Sequence, residues 1–466
     1  MRLSLRMNGA QHDQLRAHLF PGDGDEAVAL LVCGRRAGKD RHIFTTRRVV
    51  PVPHSQCSVR TPDRVVWSTD VLDDLMGEIW QSGDSLIKVH SHPSNYPLFS
   101  PTDDESDRML SLAWDGLFEQ GRLHGSAVML PDGSLFGRGL VGGEFAEDFY
   151  SVMVAGEDIL FWCREEGATP ETQRRHEQAF GAGTMRQLRS LRAGFVGCSG
   201  TGSPTIEMVA RLGLGELVPV DPDLVEDKNL NRILNSTLED ASAETPKVDL
   251  VVRTVEALGQ GQKVFPVYAN LDTPEAVRSI AECDVVFGCV DTAEGRNLLN
   301  RIASYYMIPY IDVGVSLVAD GRGGVSTVAG AVHYLAPGGT SLLERGAYTM
   351  EQVRAEAMKR TDPEGYEVLK KAKYIQNVQE DRPAVISVNM LFASLAVNEF
   401  LARIHGFRNQ RNGEFAIVRG DLCEGVLLNE TEPEGYGHLV KEMGRGDTVP
   451  LLDRPSLSED EENCGS

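Results

Sequence analysis

From Gly194 onward, short apolar runs alternate with stretches of helical spacing. "AGFVGCSG", "ELVPVD", "KVFPVYAN", "CDVVFGCVD" and "IPYIDVGVSL" have the length and β-branched content of buried strands. Between the first two, "SPTIEMVARLGL" repeats its apolar residues at helical intervals. This alternation predicts an α/β domain with a mostly parallel sheet and crossover helices over residues 191–410. The run "PAVISVNMLFASLAVNEFLARI" (383–404) predicts a long apolar helix within it.

The first 145 residues keep a different rhythm, that of a mixed α+β domain. "EAVALLVCG" (26–34) and "SLIKVHSH" (85–92) predict strands, and "DVLDDLMGEIWQSG" a helix lying between them in sequence. "GSAVMLPDGSLFGRGL" predicts a hairpin turning at Asp132-Gly133. Residues 146–190 are charged and helical in pattern, which predicts a helical connector. Residues 411–466 read as a C-terminal extension whose acidic end, "SLSEDEENCGS", predicts disorder.

Composition narrows the function classes. A chain of 466 residues exceeds one ordinary core, consistent with two domains. A formal charge of −22 argues against a nucleic-acid partner, because phosphate binding needs a basic face. No apolar run reaches the roughly 18 residues that cross a bilayer, so no membrane partner is expected. The start, "MRLSLRMNGAQHDQLRAHLF", lacks the apolar stretch and cleavage site of a secretion signal. Eight cysteines without paired spacing predict reduced thiols and a cytoplasmic protein.

The stretch "KVHSHPSNYPLFSPTDDESD" (88–107) carries the first candidate chemistry. On a strand, His90 and His92 point to one face and can reach one ion. Asp103 follows a turn containing Pro93 and Pro97 and supplies a third ligand, leaving a fourth position for water, as in hydrolytic zinc sites. Glu26 is the candidate base and Ser100 the candidate oxyanion stabiliser. "SPTDDE" is equally a good helix start, with Ser100 as cap and Pro101 at the first position. Cap and metal site are compatible, and only the metal accounts for the paired histidines. The set Glu26, His90, His92, Ser100 and Asp103 resembles the JAMM (JAB/MPN-plus) zinc isopeptidase motif over roughly residues 1–145. The resemblance implies hydrolysis at the C-terminus of a ubiquitin-like protein, in a precursor or a conjugate.

The second half opens on "FVGCSGTGSP" (195–204), whose glycines bring backbone amides close to a phosphate. Asp221 ends the next strand, where a carboxylate commonly grips a ribose. An NAD enzyme fits this much, but Ser199 occupies the second glycine position of the dinucleotide fingerprint. Asn229, Arg232 and Lys247 follow, and their cationic members suit a triphosphate. Asp291 sits at a further strand's C-terminal end, where a Mg²⁺ ligand belongs. Taken singly, Lys228 or Arg232 reads as a solvated charge and Arg296 as a helix ion pair.

As a set these residues resemble the Rossmann-like adenylation domain of the ThiF/MoeB and ubiquitin-activating enzymes, over about 170–405. Gly197, Gly200 and Gly202 match the glycine loop. Asp221, Asp223, Asn229, Leu230 and Arg232 match the "Asp-x-Asp … Asn-Leu-x-Arg" run, with Lys228 beside it. Lys247 matches the lysine after a proline, and Asp291, Arg296 and Asn300 match the final run. The resemblance implies that ATP and Mg²⁺ adenylate a protein's C-terminal carboxylate, with Arg232 and Asp291 in catalytic roles. It also implies a homodimer, a ubiquitin-like protein as partner and a ubiquitin-conjugating-like enzyme downstream. Relatives with both domains imply a setting in bacterial antiphage defence.

Departures from the family pattern leave the later chemistry open. "PGGTSLLERG" places Ser341 and Glu344 where many relatives carry a zinc-binding cysteine pair, so that structural zinc is not expected. No cysteine lies between 290 and 422, where relatives carry an acyl on a thiol. Cys198, Cys283 and Cys289 are expected to pack. A thioester on Cys423 or Cys464, an oxyester on Ser341 or Thr349, and direct transfer all stay open. Sulfur-carrier activation for cofactor synthesis and a non-catalytic scaffold are the alternative functions.

Overall fold

Leu30 and Val32 pack into one apolar core while Ala29, Leu31 and Cys33 between them pack into another. That alternation is what a strand covered on both faces requires. The computed structural model describes residues 1–164, 167–371 and 383–458. They divide into two compact units: 1–164 with 305–307 and 442–448, and the remainder.

The first unit runs β1 (Arg2–Asn8), α1 (Gly9–Leu19), β2 (Val28–Ala37), β3 (Arg41–Pro51), β4 (Cys57–Thr61), β5 (Arg64–Trp67), α2 (Asp73–Ser82), β6 (Ser85–Ser91), α3 (Pro101–Leu117), β7 (His124–Met129), β8 (Leu135–Val141), β9 (Glu144–Ala155) and β10 (Ile159–Cys163). Eight strands form a sheet in the order β1-β3-β2-β6-β7-β8-β9-β10, and a further parallel pairing of β1 with β9 curls it back on itself. Leu15 and Leu19 of α1 cover one face with Phe44, Ile87 and Phe149. Leu75 and Ile79 of α2 and Leu110 and Trp114 of α3 cover the other. The predicted hairpin is β7–β8, antiparallel from His124↔Leu140 to Met129↔Leu135.

The helical connector expected over 146–190 is corrected. Residues 144–155 and 159–163 are the strands β9 and β10, and helical structure begins only at Glu171, with a single turn leading into a helix from Arg174. "FYSVMVA" has spacing that suits either state, and β1 decides it by pairing with β9 from Leu3↔Phe149 to Asn8↔Ala155. Ladder and core contacts outweigh local pattern there.

The second unit continues α4 (Arg174–Ser190), β11 (Arg192–Val196), α5 (Gly202–Leu212), β12 (Glu216–Val220), α6 (Leu238–Ser242), α7 (Lys247–Leu258), β13 (Lys263–Val264), α8 (Pro274–Ala281), β14 (Val285–Gly288), α9 (Ala293–Tyr305), β15 (Tyr310–Ala319), β16 (Val325–Leu335), α10 (Met350–Thr361), α11 (Pro363–Lys371), α12 (Ile386–Ile404), β17 (Ile417–Asp421) and β18 (Val426–Glu430). Its sheet order is β13-β12-β11-β14-β15-β16-β17-β18. The first five strands are parallel and the last three antiparallel. Strand order reverses between β11 and β14, which opens a crevice at their C-terminal ends. The strand expected at 263–270 is two residues plus a bridge from Val267 to Val220. The amides of Lys263, Phe265 and Val267 donate to β12 and its flanks, so Pro266 falls on the outer side of this edge strand, where no ladder donor is lost.

Helix α12 lies close on this sheet. A Cβ at Gly330 or Gly420 would stand 2.7 or 2.9 Å from the Phe392 ring, so both strands need glycine there. The separate extension expected from 411 is also corrected, because β17 and β18 complete the sheet and 442–448 groups with the first unit. The acidic end beyond 458 and Cys464 lie outside the described residues. Among the described residues no helix is long and apolar enough to cross a membrane.

Candidate functional site

Even-numbered residues of β6 face α3. Leu86 joins the core with Leu110 and Trp114, Lys88 pairs with Asp107, and His90 meets Asp103. Two strand residues advance about 6.6 Å and four helical residues about 6 Å, so the two elements stay in step. His90 Nε2 lies 3.0 Å from Asp103 Oδ1, and His92 Nε2 lies 3.6 Å from Oδ2. The two Nε2 atoms are 3.1 Å apart. Among the described residues, these three side chains are the group whose ligand atoms converge, all within 4.8 Å.

The donor set fits zinc. His92 Nδ1 is 2.8 Å from the Tyr96 carbonyl, which accepts a hydrogen bond from that nitrogen and so leaves Nε2 as the nitrogen that would bind a metal. Burial raises the Asp103 carboxyl, but hydrogen bonds with His90 and His92 outweigh it and hold the acid well below the usual range. Asp103 is therefore an anion ready to ligate. Ser100 caps α3 as well: its hydroxyl donates to Asp103 Oδ2 at 2.7 Å and its Oγ accepts from the Asp103 amide at 3.2 Å. Cap and site residues coincide.

Glu26 stands on the neighbouring strand line. The register Val28↔His90, with the Ser91 amide donating to the Ala27 carbonyl, sets Glu26 opposite His92. Its carboxyl is buried, and burial pushes it up to about 7, with His92 opposing and Asp103 adding to the rise. Glu26 is not among the converging ligands, which suits a proton carrier.

In the second unit the loop 197–201 joins β11 to α5 at the crevice. Gly197 has φ of +91°, and a Cβ there would sit 2.6 Å from the Cys289 carbonyl oxygen. A Cβ on Gly202 would sit 1.9 Å from the Gly197 carbonyl oxygen, so the turn closes only around glycine. Gly200 lies against Arg232 Cδ, at 3.3 Å from its would-be Cβ. Asp221 is buried and braces the loop: Oδ2 accepts from the Cys198 amide at 2.7 Å and Oδ1 from the Asp223 amide at 2.9 Å. Lys247 Nζ is buried, 2.7 Å from Asp223 Oδ2 and 3.8 Å from Asp221 Oδ1. Asp291 is exposed just past β14, beside the loop that Cys289 touches. A carboxylate at that strand end fits a Mg²⁺ ligand.

Other expected residues hold partners close by in the fold. Asn229 is buried and its Oδ1 accepts from the Glu226 amide at 3.2 Å. Lys228 is 74% exposed and pairs with Glu226, the arrangement of a solvated charge. Arg232 Nη1 donates to the Lys228 carbonyl at 2.7 Å. Arg296 binds the buried Asp312 at 3.1 Å, and Asn300 donates to the Arg296 carbonyl. Ser341 is buried with its hydroxyl on Glu344, which also pairs with His438 at 3.3 Å, so a polar clasp fills this loop. Cys198 and Cys283 are buried as expected, Cys289 is only half-buried, and Cys423 is exposed in the β17–β18 turn. Sequence reasoning missed Asn389, whose amide comes within 2.4 Å of a Cβ built on Gly200. The signal was an amide in the first turn of a mainly apolar helix.

Comparison with known proteins follows the same division. Residues 172–422, more than half of the chain, match the model of the ThiF family, and residues 10–132 match that of prokaryotic homologs of the JAB domain. The chain is 36% identical over 125 residues to the SAMP-activating enzyme E1 of Haloferax volcanii, covering 27% of this chain and 46% of that protein. It is 31% identical over 132 residues to the adenylyltransferase and sulfurtransferase UBA4 of Yarrowia lipolytica, covering 28% and 33%. It is 27% identical over 164 residues to the ubiquitin-like modifier-activating enzyme 5 of Culex quinquefasciatus, covering 33% and 38%. The chain thus spans less than half the length of each of these relatives. Among solved structures it is similar to E. coli MccB with ATP, at 18% identity and a TM-score of 0.43, over 57% of this chain and 73% of that one.

Proposed function

Because the chain belongs to the ThiF family and carries a JAB domain at its N-terminus, we propose that it both exposes and activates the C-terminus of a ubiquitin-like protein. The observation that carries this reading is the coincidence of two complete residue sets, His90–His92–Asp103 with Glu26, and the glycine loop with Arg232, Lys247 and Asp291.

In the JAB domain His90, His92 and Asp103 would hold zinc, which supplies a Lewis acid and a water of lowered pKa. Glu26 takes a proton from the attacking water and returns it to the leaving amine. Its raised pKa keeps both directions accessible near neutral pH. Ser100 turns its hydroxyl from Asp103 toward the oxyanion.

In the ThiF domain the amides of 197–202 and the cations Arg232 and Lys247 receive the phosphates of ATP. Lys247 exchanges its bond to Asp223 for a phosphate oxygen, and Asp291 would hold Mg²⁺. The substrate carboxylate attacks the α-phosphorus and pyrophosphate leaves, giving an acyl adenylate. Downstream, the reading includes a ubiquitin-conjugating-like partner, a homodimer and service in antiphage defence.

Intact mass of a ubiquitin-like precursor, incubated with the zinc-loaded chain and then with ATP and Mg²⁺, tests both halves. Loss of the C-terminal extension followed by gain of an adenylyl group is expected. An unaltered precursor in both incubations would sink the reading. The relative named as a sulfurtransferase favours a second reading, sulfur-carrier activation. Turnover that requires a sulfur donor distinguishes it.

A further inference from the structure

Behind the zinc ligands lies a buried ion cluster that the proposed chemistry does not use. Lys88 Nζ donates to Asp107 Oδ1, with side chains 5% and 0% exposed. Arg138 of β8 donates from Nη2 at 2.7 Å and from Nε at 3.2 Å to Asp107 Oδ2. Its Nη1 donates to Asp104 Oδ1 at 2.6 Å. The guanidinium is sandwiched between rings, 3.8 Å from the Phe99 centroid and 3.9 Å from that of Phe145. Phe99 is the residue before the cap Ser100, and Asp104 and Asp107 follow the ligand Asp103 along α3.

Such a cluster is a poor stability device. Burying these charges costs about as much as their attraction returns, and apolar residues of similar volume usually do as well or better. What apolar contacts lack is direction. Leu110 and Trp114 press α3 against the sheet without fixing how far it slides along β6. A slip of one residue is about 1.5 Å, whereas metal–ligand distances tolerate only about 0.2 Å. The Lys88–Asp107 bond lies one step along from His90–Asp103, on the same strand face and the same helix face.

We infer that Lys88, Asp107 and Arg138 are positioning residues that lock the register of α3 on β6, and so set Asp103 opposite His90 and His92. The cluster pins α3 from the strand, through Lys88, and from β8, through the Arg138 fork. The stack of Phe99 on Arg138 extends the hold to the cap that carries Ser100. The inference rests on the zinc reading of the three ligands.

The test compares zinc affinity, by competition with a chromogenic chelator, with thermal unfolding of the metal-free chain. The triple variant Lys88→Met/Asp107→Leu/Arg138→Met replaces all three buried charges together by apolar side chains, so it folds with near-parental stability. Its zinc affinity is expected to fall about 10- to 100-fold, with an altered visible spectrum when Co²⁺ replaces zinc. Arg138→Lys, which keeps one bond to Asp107 but loses the fork and the stack, is expected to lose less. Should the triple variant not fold, Arg138→Lys alone decides. Affinity within about twofold of the parent in a folded variant overturns the inference while leaving the zinc reading intact. A parent chain that takes up no zinc overturns both.

Discussion

His90 Nε2 stands 3.0 Å from Asp103 Oδ1, one period along from the buried contact of Lys88 with Asp107. Strand and helix thus meet in register, and the ligand pair is a continuation of the packing that holds α3 down. Two ligands of the candidate metal centre, His90 and Asp103, therefore rest on regular elements, and His92 follows directly on the end of β6. Only the turn between His92 and Ser100 is irregular, and the Tyr96 carbonyl ties it back to His92.

Glu26→Gln separates proton transfer from metal binding. The amide fills the same buried space but cannot take up and return a proton, so isopeptide cleavage should fall about 10²- to 10⁴-fold. Zinc content by elemental analysis should stay at the parental value, since Glu26 stands apart from the converging ligands. Loss of zinc in this variant would make Glu26 a ligand instead.

The glycine loop gives a steric prediction with a built-in control. Gly202→Ala places a methyl 1.9 Å from the Gly197 carbonyl oxygen, so the loop must open and ATP affinity, measured by calorimetry, should collapse. Gly116→Ala in α3 meets nothing within 4 Å. It should be neutral or stabilise by about 0.5–1 kcal/mol.

His124 makes the first unit sensitive to acid. It is buried against Trp114 and Phe118, at 5.0 and 5.7 Å between ring centroids, and its Nδ1 accepts from the Leu86 amide at 3.0 Å. Burial, with help from Arg122 and Arg35, pushes its pKa down to about 3. Because the unfolded chain binds this proton at a higher pH than the folded one, stability falls as pH drops from about 6.5 toward 3. The loss approaches 1.4 kcal/mol per pH unit within that window. His124→Asn keeps an acceptor and removes the titration, so its thermal unfolding midpoint should depend less on pH than the parent's. Equal slopes would show that other groups govern the acid response.

Local pattern revealed the residues that carry chemistry more readily than those that hold them in place. His90 and His92 announce themselves because a strand puts alternate residues on one face. Gly197, Gly200 and Gly202 do so because their loop tolerates no side chain where the backbone closes on itself. Lys88 and Asp107 lie nineteen positions apart, and nothing local marks a lysine in a strand as buried. Strand β9 was hidden for a related reason: beside its neighbours β8 and β10 it pairs with β1 at the other end of the unit, and that ladder is a long-range fact. Asp221 and Asn229 sat where expected, but their polar atoms brace the crevice from within.

The most direct measurement is ATP–pyrophosphate exchange by the purified chain, with Mg²⁺ and a ubiquitin-like protein bearing a free C-terminal carboxylate. Exchange that needs that carboxylate, and falls at least about 100-fold in Asp291→Ala, is the predicted result. Exchange at the parental rate in Asp291→Ala, or none with the carboxylate present, would contradict the account.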